Sequence, residues 1–187
     1  AILTGDKVVR EDIFPGALLV RVASSHIRVG TFEFFASRGQ YNDVRALANY
    51  SIQRHFPDLK SNKDKYLGLL NAVSQRQAEL IAQWMSFGFI HGVMNTDNMA
   101  ICGETIDYGP CAFMDEYNPD QVFSSIDHSG RYKYSNQPKV APWNLSRLAE
   151  TLLPLIADKP EEAVQDAQKI IERFSNHYDN IFRKLMI

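Results

Sequence analysis

Apolar residues recur at three- and four-residue steps along two long stretches of the chain. Over residues 64–86 the stripe is Tyr66, Leu70, Val73, Leu80, Ile81 and Trp84, which predicts a helix with one inward face. Gln77 falls on that stripe and weakens it. From Pro160 onward, Ala163, Ala167, Ile170, Ile171, Phe174, Tyr178, Ile181, Phe182 and Leu185 form a more continuous stripe. Pro160 suits a first helical turn, and Glu161 and Glu162 sit where the helix dipole favours acids. Two shorter helices are predicted as well. One starts at Asn42 or Asp43 as a cap and runs to about Phe56, stopped by Pro57, with Val44, Leu47, Ala48 and Ile52 inward. The other covers 143–155, with Leu145, Leu148, Ala149 and Leu152 inward.

The pattern changes elsewhere. Residues 7–10 and 17–22 are rich in β-forming side chains, with Phe14, Pro15 and Gly16 as punctuation between them. Residues 89–110 alternate short apolar pieces with polar clusters. They predict strand, polar loop, strand, turn at Gly103, and strand, with His91, Asn95, Asp97, Asn98 and Asp107 on the polar parts. Residues 111–142 carry little periodicity, and a compact domain seldom keeps so long a loop without a functional reason.

Composition narrows the class. The 187 residues suffice for one domain with a real core, and 45% apolar and 22% charged residues fit a globular chain. A formal net charge of −2 gives no broad pull toward nucleic acid or an anionic membrane, so neither is an expected partner and any anion site must be local. Cys102 and Cys111 are too few for a disulfide framework and lack zinc spacing; free thiols in a reducing compartment are the simpler reading. No apolar run is long enough to span a bilayer, and the first residues lack a signal-peptide layout.

The candidate chemistry lies in the polar loops. Asp97, Asn98 and Asp107 supply the hard oxygen donors that Mg²⁺ prefers, and one carboxylate could act as a base beside the ion. Arg21 and Arg28 flank a Ser-Ser turn and could clamp phosphate through their planar donor forks, or could be two solvated cations. Many small-molecule kinases carry His-Gly-Asp, an Asn farther on, and then a strand ending in a metal-binding Asp. Here His91-Gly92, Asn98 and Asp107 match, but Val93 stands where the usual base would be, and Asp97 precedes the Asn instead. His91 reads as a structural histidine that bonds the backbone near Asp107. Asp127 and His128 read as loop-ordering or substrate-contacting residues, and Tyr108 as packing under the loop.

Long segments in a fixed order carry a resemblance. They are Arg21-Val-Ala-Ser-Ser-His-Ile-Arg28, His91-Gly-Val-Met-Asn-Thr-Asp-Asn-Met99, Thr105-Ile-Asp-Tyr-Gly-Pro110, Asp127-His-Ser-Gly-Arg-Tyr132, Asn136-Gln-Pro138 and Trp143-Asn-Leu145. Together they resemble the selenoprotein O family. That resemblance implies an α+β fold: a protein-kinase-like C-lobe, mainly helical with short strands around the catalytic loop, plus remnant N-lobe strands. Residues 1–30 would be the tail of the N-lobe with its nucleotide-contacting arginines, and 31–187 the helical C-lobe with the catalytic and metal-binding loops. It implies transfer of AMP from ATP to Ser, Thr or Tyr hydroxyls of proteins. Asp97 would accept the proton, Asn98 and Asp107 would ligate Mg²⁺ (or Mn²⁺), and Arg21, Arg28 and Asp107 would contact the nucleotide. An ATP-dependent phosphotransferase and a non-catalytic pseudokinase or interaction module are the alternatives. The compartment implied is the bacterial cytoplasm, or the mitochondrion in a eukaryote. The resemblance covers only the middle of the family's length, which implies a Gly-rich segment and a lysine before residue 1 and further chain after residue 187. The expectations are weak ATP–Mg²⁺ binding, little transfer by this stretch alone, and an apolar face open to self-association.

Overall fold

The computed structural model describes residues 1–9 and 12–187. Two strands open the chain, β1 (Ile2–Val9) and β2 (Ile13–Leu18), paired antiparallel as a two-stranded ribbon. The register slips between Leu3 and Lys7, where Gly5 takes φ +81°. The predicted bounds shift. The first strand begins earlier than residue 7, and Arg10 lies outside the described residues. The second strand runs through Phe14, Pro15 and Gly16 rather than starting after them. A two-stranded ribbon has only edge strands, so a proline without an N–H is tolerated there. Gly16 is the buried position of β2, since a Cβ there would meet the Asp6 carbonyl oxygen at 3.0 Å. Apolar side chains on the ribbon, Ile2, Leu3, Val9 and Ile13 among them, stay exposed.

Helices α1 (Val29–Ala36), α2 (Tyr41–His55), α3 (Lys65–Ser86), α4 (Gln137–Ile156) and α5 (Pro160–Leu185) build the remainder. The hydrophobic pattern does not mark α1; it is short, and its signal is two buried residues, Val29 and Phe32, packed toward α4. In α2 the cap is Gln40, one residue before the helix. Asn42 and Asp43 lie in the first turn instead, where Asp43 still complements the helix dipole. The α3 and α5 predictions hold, with Asp64 capping α3 and Pro160 opening α5. The predicted start of α4 at residue 143 is six positions late. Pro138 occupies the first turn, where its missing N–H is no loss, and the helix continues through Pro142.

Helix α3 is the central column and packs against both α4 and α5. Leu69, Leu70, Val73, Ala78, Ile81, Leu145, Leu148, Leu152 and Phe174 form the middle of the core. Burial of the Tyr178 hydroxyl in α5 pushes its pKa up to about 12. Gln77 is no flaw in the α3 stripe: it is buried, and its Nε2 donates to the Ala100 carbonyl at 2.6 Å.

The central stretch is less strand-like than predicted. Strand β3 (Phe89–Ile90) pairs antiparallel with β4 (Ala112–Phe113), beyond residue 107. Met99 and Thr105 form one isolated bridge, and Arg28 and Ala100 another. The long 111–142 segment is held by backbone bonds from Tyr134 N–H to Gln121 O at 3.1 Å and Ser135 N–H to Pro119 O at 3.0 Å. No helix among the described residues is long and apolar enough to cross a membrane.

Candidate active site

The site grows from the end of α3. The chain leaves that helix, forms β3, and turns at Gly92 with φ +85°. A Cβ at Gly92 would lie 2.9 Å from Pro110 Cγ, so only glycine lets the two loops close on each other. Asn95 then caps a 3₁₀ turn, Thr96–Asn98, which carries Asp97 to the surface.

His91 ties this loop to the next. It is 1% exposed, its Nε2 meets the Ile106 carbonyl at 2.7 Å, and Val93 N–H approaches its Nδ1 at 3.4 Å. A carbonyl only accepts, so Nε2 carries the proton and Nδ1 is the acceptor. The structural reading of His91 therefore holds. The residue after Ile106 is Asp107, at φ +59°, in the left-handed region that few non-glycine residues enter. A strained carboxylate on a loop pinned from behind is the kind of outlier that points to function.

Burial holds His91 below its ordinary pKa, while the Ile106 carbonyl and the Asp107 charge pull the other way. His55 is also lowered, first by burial and then by Arg76 and Arg54. As pH falls below about 6.5 the unfolded chain takes up these protons before the folded chain does. Stability is therefore complete above that pH and declines as pH drops through it toward the folded values. Urea unfolding at pH 7.5 and 5.5 should give a lower midpoint at 5.5; equal midpoints would mean that both imidazoles accept a proton in place.

Asn98 is oriented by donating from Nδ2 to the Val93 carbonyl at 3.0 Å, and its Oδ1 accepts no hydrogen bond among the described residues. Asp107 keeps half of its side chain exposed. One amide oxygen and one accessible carboxylate are oxygen donors of the kind that Mg²⁺ takes. Arg28 caps α1, and its Nη1 donates to the Asp97 carbonyl at 3.1 Å. Gly30, in the first turn of α1, packs so near Asp97 that a Cβ would sit 3.1 Å from the Asp97 Cα. Arg21 lies beside Asp107, Nη2 to Oδ1 at 3.9 Å, a charge contact longer than a hydrogen bond. Its guanidinium is 5.5 Å from the Tyr108 ring, and Tyr108 is half exposed rather than packed under the loop. Arg28 is thus placed at the Asp97–Asn98 turn, and Arg21 at Asp107.

Other side chains carry the arrangement without having been singled out by the sequence. Gln137, fully buried at the start of α4, donates from Nε2 to the Phe89 carbonyl and accepts the His91 N–H at Oε1, both at 2.9 Å. Two helical turns on, Asn144 donates to the Met94 carbonyl at 2.9 Å. Both lie in segments quoted above for the resemblance; the remaining signal was a polar residue on an apolar helix face. Ser24, between the two arginines, is clasped from both sides. Its N–H donates to Glu104 at 2.9 Å, its hydroxyl also bonds Glu104, and its carbonyl accepts from Arg54 Nη2 at 2.5 Å. Hydrogen bonds from Ser24 hold the Glu104 carboxyl below its ordinary pKa. Asp127 orders its loop by accepting the N–H groups of Arg131 at 2.9 Å and Tyr132 at 2.8 Å. The Tyr132 hydroxyl reaches the Asn95 side chain. Cys102 and Cys111 are free thiols.

The chain is 61% identical over 182 residues to a protein nucleotidyltransferase YdiU of Rhizobium leguminosarum bv. trifolii (strain WSM2304), covering 95% of this chain and 36% of that protein. It is 57% identical over 182 residues to one of Rhodopseudomonas palustris (strain BisB18), covering 97% and 37%. To one of Shouchella clausii (strain KSM-K16) it is 58% identical over 177 residues, covering 95% and 36%. The chain thus spans little more than a third of the length of these relatives. The family profile described as "Protein adenylyltransferase SelO" matches residues 1–187, and the chain belongs to that family.

Proposed function

We propose that this chain is the catalytic and metal-binding part of a protein nucleotidyltransferase that moves AMP from ATP to Ser, Thr or Tyr hydroxyls of proteins. The observation that carries the reading is the coupled pair of loops: His91 bonded to Ile106 beside a strained Asp107, and Asn98 turned by Val93, its oxygen accepting no hydrogen bond among the described residues. Residues 31–187 would form a kinase-like C-lobe, and 1–30 would bring the nucleotide-contacting arginines to it.

Asn98 and Asp107 would hold Mg²⁺ (or Mn²⁺), and the ion would supply charge stabilisation at the phosphates. The acceptor hydroxyl oxygen forms a bond to the α-phosphorus while the bond from that phosphorus to the β-bridging oxygen breaks. Pyrophosphate leaves, and the hydroxyl proton passes to the Asp97 carboxylate. Exposure of Asp97 favours this role, because a protein hydroxyl must reach it. Arg21 and Arg28 would orient the polyphosphate through their planar donors.

Intact-mass analysis of a protein acceptor, incubated with the whole protein and ATP–Mg²⁺, tests the reading. A gain of one AMP moiety is expected. A gain of one phosphoryl group would reassign the chain to phosphotransfer, and no gain under any metal would favour a non-catalytic interaction module.

A further inference from the structure

The face of α4 beside the catalytic turn carries charge that the chemistry above does not use. Lys139, Trp143 and Arg147 recur at four-residue steps, so they line one side of the helix. Trp143 is 47% exposed, unusual for so large an apolar ring. Two guanidinium groups pack on it, Arg131 at 4.8 Å and Arg147 at 5.5 Å from the ring centroid. Arg131 also lies 5.7 Å from the ring of Tyr132, whose hydroxyl bonds Asn95. Asn95 caps the turn that carries Asp97. The patch is therefore joined to the reacting turn through a single tyrosine.

The charges do not cancel. Glu150 pairs with Arg147, and Asp120 pairs with Lys133 at 2.6 Å. Asp127 is turned inward onto the Arg131 and Tyr132 backbone. Arg131 and Lys139 are exposed and form no ion pair among the described residues. In a chain of net charge −2, two open cations beside an exposed tryptophan make this face locally positive. Flat aromatic area rimmed by arginine is the composition that protein interfaces favour.

We propose that Arg131, Lys139, Trp143 and Arg147 form a docking surface for an acidic segment of the protein that presents the acceptor hydroxyl. The inference rests on the reading of the chain as a protein nucleotidyltransferase and adds the class of sequence it would select. Acidic side chains near the acceptor would meet Arg131 and Lys139, and an apolar neighbour would lie on Trp143.

Fluorescence anisotropy on the whole protein tests it, with labelled serine peptides flanked by Asp and Glu, by Asn and Gln, or by Lys and Arg. The acidic peptide should bind about threefold to tenfold tighter than the neutral one at low ionic strength, the scale of two exposed ion pairs. The preference should shrink as salt is raised. Arg131→Glu combined with Lys139→Glu should turn the preference toward the basic peptide, a reversal that misfolding does not produce. Equal binding of acidic and neutral peptides by the unmutated protein would overturn the proposal. So would a single-stranded oligonucleotide that displaces the acidic peptide and loses affinity in Trp143→Ala, since the face would then serve nucleic acid. If the acidic preference holds but no AMP reaches the peptide, the surface stands and the proposed reaction fails.

Discussion

Asp107→Ala should lower AMP transfer by the whole protein at least about 10²-fold, the scale on which one preorganised charge acts at a transferring phosphoryl group. The structure gives this residue no second task that would blur the result. Its side chain is half exposed, its ion-pair partner among the described residues is Arg21 at 3.9 Å, and the fold closes behind it through Ile106 and His91. Stability should change little or rise slightly toward Asp107→Gly, because glycine accepts φ +59° without strain. Asp97→Asn is the companion change. It preserves the backbone carbonyl that accepts from Arg28 and removes the proposed base, so transfer should fall about 10²- to 10⁴-fold while ATP binding persists. Initial rates of AMP incorporation alongside calorimetric ATP–Mg²⁺ affinity separate the two. An Asp107→Ala protein within tenfold of the native rate would remove the metal assignment, and an equally active Asp97→Asn protein would remove the base.

Gln137→Leu should be the most damaging of the conservative-sized changes away from the reacting groups. Leucine fills a similar volume but leaves the Phe89 carbonyl and the His91 N–H without partners where water does not reach. Each buried group left unmade costs about 1–3 kcal/mol, so the two together should cost about 2–6 kcal/mol. At about 2–4 °C per kcal/mol for a chain of this size, the melting temperature should fall by at least about 4 °C. Gln137→Glu should lie between the two, since a side chain kept protonated by full burial accepts the His91 N–H at its carbonyl oxygen and donates its O–H to Phe89, at the cost of holding that proton. Thermal unfolding of the three proteins checks the order. Gln137→Leu melting within 1–2 °C of the native protein, on the order of a surface substitution, would show that the amide bridge carries no weight.

The arrangement explains why the site needs the helices beneath it. Gln77 of α3 holds the Ala100 carbonyl, and Gln137 and Asn144 of α4 hold Phe89, His91 and Met94. The loop that carries Asp97 therefore hangs on side-chain amides from two packed helices. An amide both donates and accepts, so it can replace a neighbouring strand where irregular backbone would otherwise be buried unpaired.

Much of this was legible along the chain. The α3 and α5 helices follow from their apolar spacing, because a buried helix face must repeat with the helical period. The oxygen donors Asp97, Asn98 and Asp107, the arginines Arg21 and Arg28, and the structural role of His91 follow from residue type and order. What periodicity could not supply was contact between distant segments. Helix α1 and the early start of α4 escaped because one is too short to show a period and the other begins among prolines. The strand partner of Phe89–Ile90 is Ala112–Phe113 rather than the nearer Thr105–Ile106, a choice made by tertiary pairing. The sequence by itself determined which groups could do chemistry and which helices would bury their faces, since both depend on residue type and local spacing. Only the tertiary structure decided that Arg28 clasps the Asp97 turn, that Arg21 faces Asp107, and that buried Gln137 and Asn144 hold the loop that carries Asp97. Those contacts join residues far apart in the chain, and no local pattern encodes them.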